Sequence, residues 1–459
     1  MGFLPCACGG SGTAHHPKAS QAAEPCTILY IPELPGFNDF SFRFFIRGDS
    51  MSLLDRLSQP QCWESFYEYK LSHACPPSLA KELRGFIDAR EYLPVCERIS
   101  RGDRFPLPKK SVVSKLSSEK KRVVYTYPRE ENYVLKLLTY LILREYDGVF
   151  CPALYSFRPN RGAKDAIRYL SGVRGIREMY SYKLDVSDYF NSVPVERLLP
   201  ELENALAEDP ALFSFLKGLL EEPEVLDGGK RVTERKGIMA GTPVASFYAN
   251  LYLAGLDRYF YEKKVPYARY SDDIILFAPT REALDGYAAE LRGFLAGRGL
   301  SVNPKKEERS APGEMWTFLG FSYRDGVVDV SPVSVTKLKG KMRRKTRALR
   351  RWRQRNGLDG EKAARAFIRI FNRKLFENPA DHELTWTYWF FPVITTADSL
   401  RVIDNYAQDC VRVLVSDTHT KKRFDVRYED MKKMGLRSLV HEYYAFRGRE
   451  KGTDGKNDP

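Results

Sequence analysis

No uninterrupted run of about 20 apolar residues, the length of a membrane-spanning helix, occurs in this sequence. The first residues also lack the basic stretch and the long apolar core of a secretory signal. These two absences argue against a membrane protein and a secreted one. We therefore expect a cytoplasmic protein without a membrane partner.

Cysteine is scarce, with eight in 459 residues and no repeated pair spacing. This scarcity excludes a disulfide-rich miniprotein and favours reduced thiols. Cys6, Cys8 and Cys26, with His15 and His16, could be drawn as a zinc site, but their spacing matches no common zinc pattern. The role of this N-terminal Cys/His group stays open.

Acidic residues are missing from positions 337–355, which hold eleven Lys and Arg. The chain has a net charge of +14, so only +3 remains outside this segment. Leu338, Met342, Leu349 and Trp352 recur at helical spacing, which predicts one apolar face with cations on the rest. Because cations without acids repel one another, the segment predicts an anionic partner such as nucleic acid. A solvated basic helix without a ligand is the alternative.

Hydrophobic periodicity predicts the element order between residues 182 and 323. A strand, helices, a hairpin, a further helix and a strand follow one another, which predicts an α+β fold with helices on one face of the sheet. Within this region Pro243–Tyr261 has the pattern of one long apolar helix, and Phe318–Tyr323 that of a strand. After residue 331 the pattern is mostly helical up to residue 444.

Three carboxylates lie where predicted strands end. Asp272 and Asp273 are adjacent at the hairpin turn, and Asp185 ends an apolar strand. Adjacent carboxylates repel one another unless a cation lies beside them. The set could hold two Mg²⁺ about 3.5–4 Å apart, the arrangement that activates an attacking 3′-hydroxyl in nucleotidyl transfer. An ordinary polar turn, and a helix cap at Asp185 or Asp188, are the alternatives.

Six motifs follow one another in an order that resembles the reverse transcriptases, specifically the bacterial group II intron-like, retron and defence-associated kinds. The resemblance covers roughly residues 110–330. Its motifs are the fingers motif at Tyr155–Gly162, the first palm motif at Asp185, the second at Gly241–Asn250, the catalytic hairpin at Tyr270–Asp273, the next palm motif at Ser301–Lys306 and the primer grip at Phe318–Phe321.

The resemblance implies a right-hand polymerase with an antiparallel palm sheet and a helical thumb. It divides the chain into a flexible tail (1–27), an N-terminal helical extension (28–109), fingers (110–181), a palm with fingers insertions (182–330), a helical thumb with the C-terminal region (331–445) and a second flexible tail (446–459).

The resemblance also implies roles for individual residues. Asp185, Asp272 and Asp273 would be catalytic and, with Val186, would hold the metal. Phe190 would lie under the sugar and exclude a 2′-hydroxyl, although a core aromatic is the alternative. The nucleotide-binding set is Lys121, Arg122, Arg158, Phe190, Gly241, Pro243 and Lys306, with Lys306 near the leaving pyrophosphate. The nucleic-acid-binding set is Tyr270, Phe318, Leu319, Gly320, Lys341, Arg344, Arg347 and Arg351. For the cations, a solvated surface charge is the alternative.

The expected activity is RNA-directed DNA synthesis from dNTPs with two Mg²⁺, for which Mn²⁺ could substitute. Kinship points to antiphage defence, with a structured non-coding RNA as template and cDNA as product. The absence of a nuclease region after the thumb argues against a self-mobilising intron enzyme. Retron-type, untemplated or protein-primed synthesis are alternatives, as is an RNA-binding scaffold with an inactive fold. Ala240 stands where many relatives have Gln, which leaves substrate preference and fidelity open. Primer and oligomeric state also stay open.

Overall fold

The computed structural model describes residues 51–73, 75–114, 121–376 and 385–454, all of which belong to the unit Ser50–Pro459. The expected N-terminal tail, the start of the helical extension and the Cys/His group lie outside these residues. None of the described helices has the length and apolarity needed to cross a membrane. The five described cysteines form no disulfide.

The helices are numbered in chain order. They are α1 (Leu53–Arg56), α2 (Pro60–Ser72), α3 (Pro77–Asp88), α4 (Leu93–Ser100), α5 (Arg129–Glu145), α6 (Ala163–Gly172), α7 (Tyr189–Ser192), α8 (Val195–Ala205), α9 (Pro210–Glu221), α10 (Ala245–Tyr252), α11 (Ala254–Glu262), α12 (Arg281–Gly297), α13 (Pro332–Arg355), α14 (Gly360–Phe376), α15 (Trp386–Phe390), α16 (Asp398–Ser416), α17 (Tyr428–Lys433) and α18 (Leu439–Asp454).

The strands form three sheets. They are β1 (Lys109–Ser114), β2 (Lys121–Thr126), β3 (Tyr180–Asp185), β4 (Glu224–Asp227), β5 (Lys230–Thr233), β6 (Tyr267–Tyr270), β7 (Asp273–Ala278), β8 (Glu308–Ser310), β9 (Trp316–Phe318), β10 (Phe321–Arg324) and β11 (Val327–Val330). The strand orders are β2-β1-β4-β5, β6-β7-β3-β8 and β11-β10-β9.

The central sheet, β6-β7-β3-β8, is antiparallel, and β7 is buried on both of its faces. Ile274 and Leu276 pack into a first core with α10, α11 and α12, whereas Ile275 and Phe277 pack into a second core with α6, β9–β11 and the C-terminal helices. This double burial explains the continuous apolar run of β7. The sheet is therefore covered on both faces, and not on one as the sequence pattern predicted.

The N-terminal helices pack around one buried tryptophan, Trp63. Its ring stacks on Tyr92 at 4.7 Å between centroids and meets the edge of Phe86 at 5.5 Å. Helix α5 joins this group, because α1, α2 and α4 all contact it. The described part of the helical extension is thus continuous with the first core, into which one face of β7 also packs.

The basic segment forms one long helix, α13, that packs on α14 and α16. Its buried residues include Val335, Leu338, Met342 and Leu349, so the predicted apolar stripe is present. Trp352, which the spacing had placed on that stripe, is instead 39% exposed.

Three further boundaries differ from the sequence prediction. The helix expected over Pro243–Tyr261 is two helices, α10 and α11, which are separated at Leu253. The strand expected over Phe318–Tyr323 is interrupted, because Phe318 ends β9, Leu319 and Gly320 form a turn, and β10 begins at Phe321. The tail expected from residue 446 is helical as far as Asp454, where α18 ends.

Candidate active site

Two acids meet at the end of the central sheet because of its strand register. Asp185, the last residue of β3, pairs with Asp273, the first residue of β7. The turn between β6 and β7 contains Asp272, whose carbonyl accepts a hydrogen bond from the Val186 N–H at 3.0 Å. The structure therefore brings together the four residues that the sequence assigned to the metal.

Two acids of this cluster have raised pKa values. Burial, together with the nearby Asp272 and Asp185 carboxylates, raises the pKa of Asp273 to about 6. Burial and Asp185 also raise the pKa of Asp272. The charged form of each group is thus disfavoured until a cation arrives. Carboxylate oxygens are the ligands that Mg²⁺ and Mn²⁺ prefer, so the donor set fits such a metal.

Lys306 provides the cation that contacts this cluster in the structure. Its ammonium group forms an ion pair with the Asp185 carboxylate. The Asn303 N–H donates to the Asp185 carbonyl at 2.9 Å, which holds the short helical turn that carries Lys306 against β3. Across the described residues, no group of three or more His, Cys, Asp or Glu side chains is arranged around a metal position. In the structure the Asp185 carboxylate is thus paired with the Lys306 ammonium group.

A buried ion pair lies beneath the hairpin, and sequence reasoning missed it. Arg269 and Asp257 are both fully buried, and the guanidinium donates to the two carboxylate oxygens at 2.8 and 2.6 Å. The Tyr267 hydroxyl donates to the same carboxylate at 2.8 Å. An Arg inside an otherwise apolar strand is the signal that could have indicated this pair, since a buried charge needs a partner.

Phe190 lies on α7, five residues after Asp185 in the chain, with a second aromatic ring next to it. Phe157, which is 39% exposed, meets Phe190 edge-on at 6.3 Å between centroids. The Ile238 N–H donates to the Phe190 carbonyl at 2.9 Å. A Cβ at Gly237 would lie 2.4 Å from that carbonyl oxygen, so only glycine fits there. Sequence reasoning missed both Phe157 and this glycine support.

The second palm motif packs against strand β2. The Tyr125 N–H donates to the Ala240 carbonyl at 2.8 Å. Gly241 has φ +99°, and a Cβ there would lie 3.1 Å from the Tyr125 carbonyl oxygen. Close approach of two backbones thus explains this glycine. Pro243, two residues after Gly241, is partly buried.

Arg122 on β2 is exposed and lies on the side of the acids. Its charge lowers the pKa of Asp272, although the larger effect of burial raises that pKa. The side chain of Lys121 lies outside the described residues.

Arg158 does not serve as the predicted triphosphate ligand. Its guanidinium makes a bidentate ion pair with Asp147, with both distances 2.7 Å. It also donates to the carbonyls of Cys151 and Leu154. Because these contacts and one to the Asp147 carbonyl use all of its donors, Arg158 holds the fingers segment together.

The predicted primer grip also needs one correction. Phe318 is only 2% exposed and packs in the second core, so it offers no surface to nucleic acid. Leu319 and Gly320 form the turn between β9 and β10, both with positive φ. The Ser331 N–H donates to the Gly320 carbonyl at 2.9 Å, which joins this turn to the start of α13. Tyr270 packs against the same core from β6.

Some cations of α13 make contacts within the protein, whereas others are exposed. Arg350 pairs with Asp417, and Arg353 donates to the carbonyls of Leu358 and Leu414. These two arginines stabilise the packing of the helix. The four predicted nucleic-acid contacts remain exposed, namely Lys341, Arg344, Arg347 and Arg351.

Comparison with known proteins identifies the central part of the chain. Residues 107–323 match the family model described as "Reverse transcriptase (RNA-dependent DNA polymerase)". This segment is a reverse transcriptase domain, which is the domain of an RNA-directed DNA polymerase, a nucleotidyltransferase. The predicted fold class, an α+β right-hand polymerase with an antiparallel palm sheet and a helical thumb, is confirmed.

Similar solved structures include telomerases of two yeasts. A Candida albicans telomerase in complex with a TWJ fragment of telomeric RNA is 12% identical, with a TM-score of 0.40 over 79% of this chain and 71% of that chain. Apo telomerase from Candida tropicalis is 12% identical, with a TM-score of 0.44 over 72% and 60%. Its form truncated from the C-terminal domain is 13% identical, with a TM-score of 0.41 over 49% and 55%. No curated protein sequence matches the chain.

The raised pKa of Asp273 predicts a pH-dependent stability. A carboxyl group whose pKa is about 6 in the folded chain and about 4 in the unfolded chain stabilises the fold below pH 4 and loses that contribution as the pH rises through 6. In EDTA, Asp273→Asn should therefore raise the Tm above pH 6 and leave it nearly unchanged at pH 4. Thermal unfolding followed by circular dichroism measures this. The exposed Asp285→Asn is the control, and an unchanged Tm of Asp273→Asn at pH 8 would contradict the prediction.

The Lys306–Asp185 ion pair predicts competition between the ammonium group and a metal ion. Lys306→Met should strengthen Mn²⁺ binding by up to about fivefold, the factor that corresponds to a partly exposed ion pair worth about 1 kcal/mol. The electron paramagnetic resonance signal of free Mn²⁺ gives the affinity. Lys305→Met removes the same charge from the neighbouring residue and serves as control. Equal affinities of the two variants would show that Lys306 does not compete.

Proposed function

Because residues 107–323 form a reverse transcriptase domain, we propose that this chain is an active RNA-directed DNA polymerase that adds dNTPs to a primer 3′-hydroxyl. The observation that carries the proposal is the cluster of Asp185, Asp272 and Asp273 at one end of the central sheet, where burial and the neighbouring carboxylates raise the pKa of Asp272 and of Asp273. A scaffold without catalytic activity has no need for acids that destabilise one another.

The three acids would hold two Mg²⁺, with Mn²⁺ as a substitute, and the Val186 backbone lies beside them. When bound, these ions activate the 3′-hydroxyl and neutralise the leaving pyrophosphate. The chain itself positions the acids through the β3–β7 register and the Val186–Asp272 hydrogen bond. Lys306, released from Asp185, is placed to meet the negative charge of the pyrophosphate.

The incoming dNTP would lie between the acids and β2. Arg122, whose charge lowers the pKa of Asp272, would neutralise the triphosphate, together with Lys121 at the start of the same strand. Phe190 would pack under the sugar and exclude a 2′-hydroxyl, supported by Phe157. Gly241 and Pro243 would form the adjoining backbone surface.

The nucleic acid would lie along α13 and the turn at Leu319 and Gly320, with Tyr270 beside the primer end. The support is the exposed row of cations on α13 and the hydrogen bond that joins the turn to the start of this helix. We further propose a cytoplasmic enzyme of antiphage defence that copies a structured non-coding RNA into cDNA. The sequence resemblance to defence-associated reverse transcriptases supports this part.

The activity test uses the purified chain with its co-purified RNA, Mg²⁺ and labelled dNTPs. We expect incorporation that Asp272→Ala/Asp273→Ala lowers by roughly 10²-fold or more, because a positioned charge at the reacting centre is lost. The exposed Asp285→Asn should retain wild-type activity. No incorporation by the wild type, or equal incorporation by the double variant, would favour the inactive scaffold. Synthesis that survives RNase treatment would indicate an untemplated reaction, and label covalently attached to protein would indicate protein priming.

The α13 surface predicts the salt dependence of nucleic-acid binding. Replacing Lys341, Arg344, Arg347 and Arg351 by Gln should weaken binding to a primer–template duplex. It should also reduce the slope of log Kd against log salt by up to about 3, since each phosphate contact contributes somewhat less than one. Fluorescence anisotropy at several salt concentrations measures the slope.

A control variant removes the same charge from other exposed positions, namely Lys81, Arg174, Arg258 and Lys264. It should leave the salt slope close to that of the wild type. A slope that falls equally in both variants would place the binding surface elsewhere.

A further inference from the structure

We infer that Ser156 is a positioning residue for catalysis, whose hydroxyl fixes the backbone of the turn that carries Asp272. This inference rests on the proposed function and adds a residue to which the sequence motifs assigned no role. Ser156 is fully buried, and its hydroxyl oxygen accepts the Ser271 N–H at 2.9 Å. Ser271 directly precedes Asp272, so a single hydrogen bond reaches from the fingers segment to the catalytic turn.

The turn needs such support because its backbone is strained. Tyr270 pairs with Asp273, which leaves only Ser271 and Asp272 to reverse the chain. Ser271 has φ +59°, the left-handed region that favours glycine in two-residue hairpin turns. A residue other than glycine stays in this conformation only where the surrounding structure holds it.

A closed ring of hydrogen bonds holds Ser271 from both ends. Its N–H donates to Ser156, and its carbonyl accepts from the Arg269 guanidinium at 3.4 Å. The Ser156 hydroxyl donates to the Asn250 side-chain oxygen at 3.0 Å, and the Asn250 amide group donates to the Ser156 carbonyl at 2.8 Å. Arg269 donates to the Asn250 carbonyl at 2.9 Å and so closes the ring.

The residues of this hydrogen-bonded ring are buried, so each polar atom depends on its partner within the ring. Ser156, Asn250 and Arg269 are completely buried, and Ser271 is 6% exposed. In such a site water cannot replace a lost partner, so removing the Ser156 hydroxyl leaves the Ser271 N–H unsatisfied. The backbone fixes Ser156 in turn, because the Tyr155 N–H donates to the Arg269 carbonyl at 2.9 Å.

The position of the Asp272 carboxylate depends on hydrogen bonds on both sides of the turn. The Asp272 carbonyl accepts the Val186 N–H, so Asp272 is fixed between Ser156 and the end of β3. Loss of the Ser156 contact frees one of these two ends and displaces the carboxylate from its metal-binding position. The groups proposed to bind the dNTP, Arg122 and Phe190, lie on other elements and should keep their positions.

The experiment compares Ser156→Ala with the wild type in Mn²⁺ affinity and in steady-state kinetics. We expect kcat to fall by about 10-fold to 100-fold, the effect of misplacing a reacting group by a fraction of an ångström to an ångström, with KM for dNTP unchanged. Mn²⁺ binding should weaken several-fold. Ser156→Thr, which retains the hydroxyl, should recover most of both. Thr139→Val, which removes a hydroxyl bonded to a helix carbonyl in α5, should change neither.

A measurement on the unmodified protein keeps the inference testable if Ser156→Ala does not fold. Hydrogen exchange of the peptide that contains Ser271 should be slow, since its N–H is buried and bonded. Fast exchange there, or a folded Ser156→Ala with wild-type kcat and Mn²⁺ affinity, would overturn the inference. An inactive wild type would overturn the proposed function instead, while Mn²⁺ affinity and hydrogen exchange still report on Ser156.

Discussion

The buried ion pair of Asp257 and Arg269 is the interaction on which the catalytic end of the molecule depends. Removing one partner of such a pair typically costs about 3–5 kcal/mol, because an uncompensated charge then remains in the core. Here the same guanidinium also donates to the carbonyls of Asn250 and Ser271. One side chain therefore joins α10, α11 and the catalytic hairpin. The turn that carries Asp272 is held in place because Arg269, neutralised by Asp257, donates to the Ser271 carbonyl within it.

The acids and their hairpin could be predicted from sequence because the signal is local: adjacent carboxylates between two apolar strands. The register of β3 and β7 then brings Asp185 to Asp273, as the motif order implied. The signal for the basic helix is equally local, because eleven cations without an acid give the segment its positive charge however the helix packs. Trp352 differed because it lies near the end of α13, where exposure depends on which neighbours reach that far.

The contacts that sequence reasoning did not predict depend on partners elsewhere in the chain or on full burial. Lys306 pairs with Asp185, 121 residues away, and Asn250 bonds to Ser156, 94 residues away. Arg158 resembled a phosphate ligand, yet its donors are used by one carboxylate and nearby carbonyls. Phe318 belongs to a short motif whose turn, at Leu319 and Gly320, is partly exposed while the Phe318 ring is buried. A motif gives residue types and order, but it does not show which polar atoms are already satisfied.

The double burial of β7 also bears on how the chain finds its register. A strand with one apolar face resists a one-residue slip, because the slip would expose that face. Strand β7 is apolar on both faces, so hydrophobicity alone does not distinguish the correct alignment from its neighbours. The polar turn must make that distinction. Ser156, which bonds to the turn, and Asn250 and Asp257, which bond to Ser156 and Arg269, all precede it in the chain. During synthesis the residues that hold the turn are therefore made before the turn itself. They are already present when the hairpin forms and selects its register.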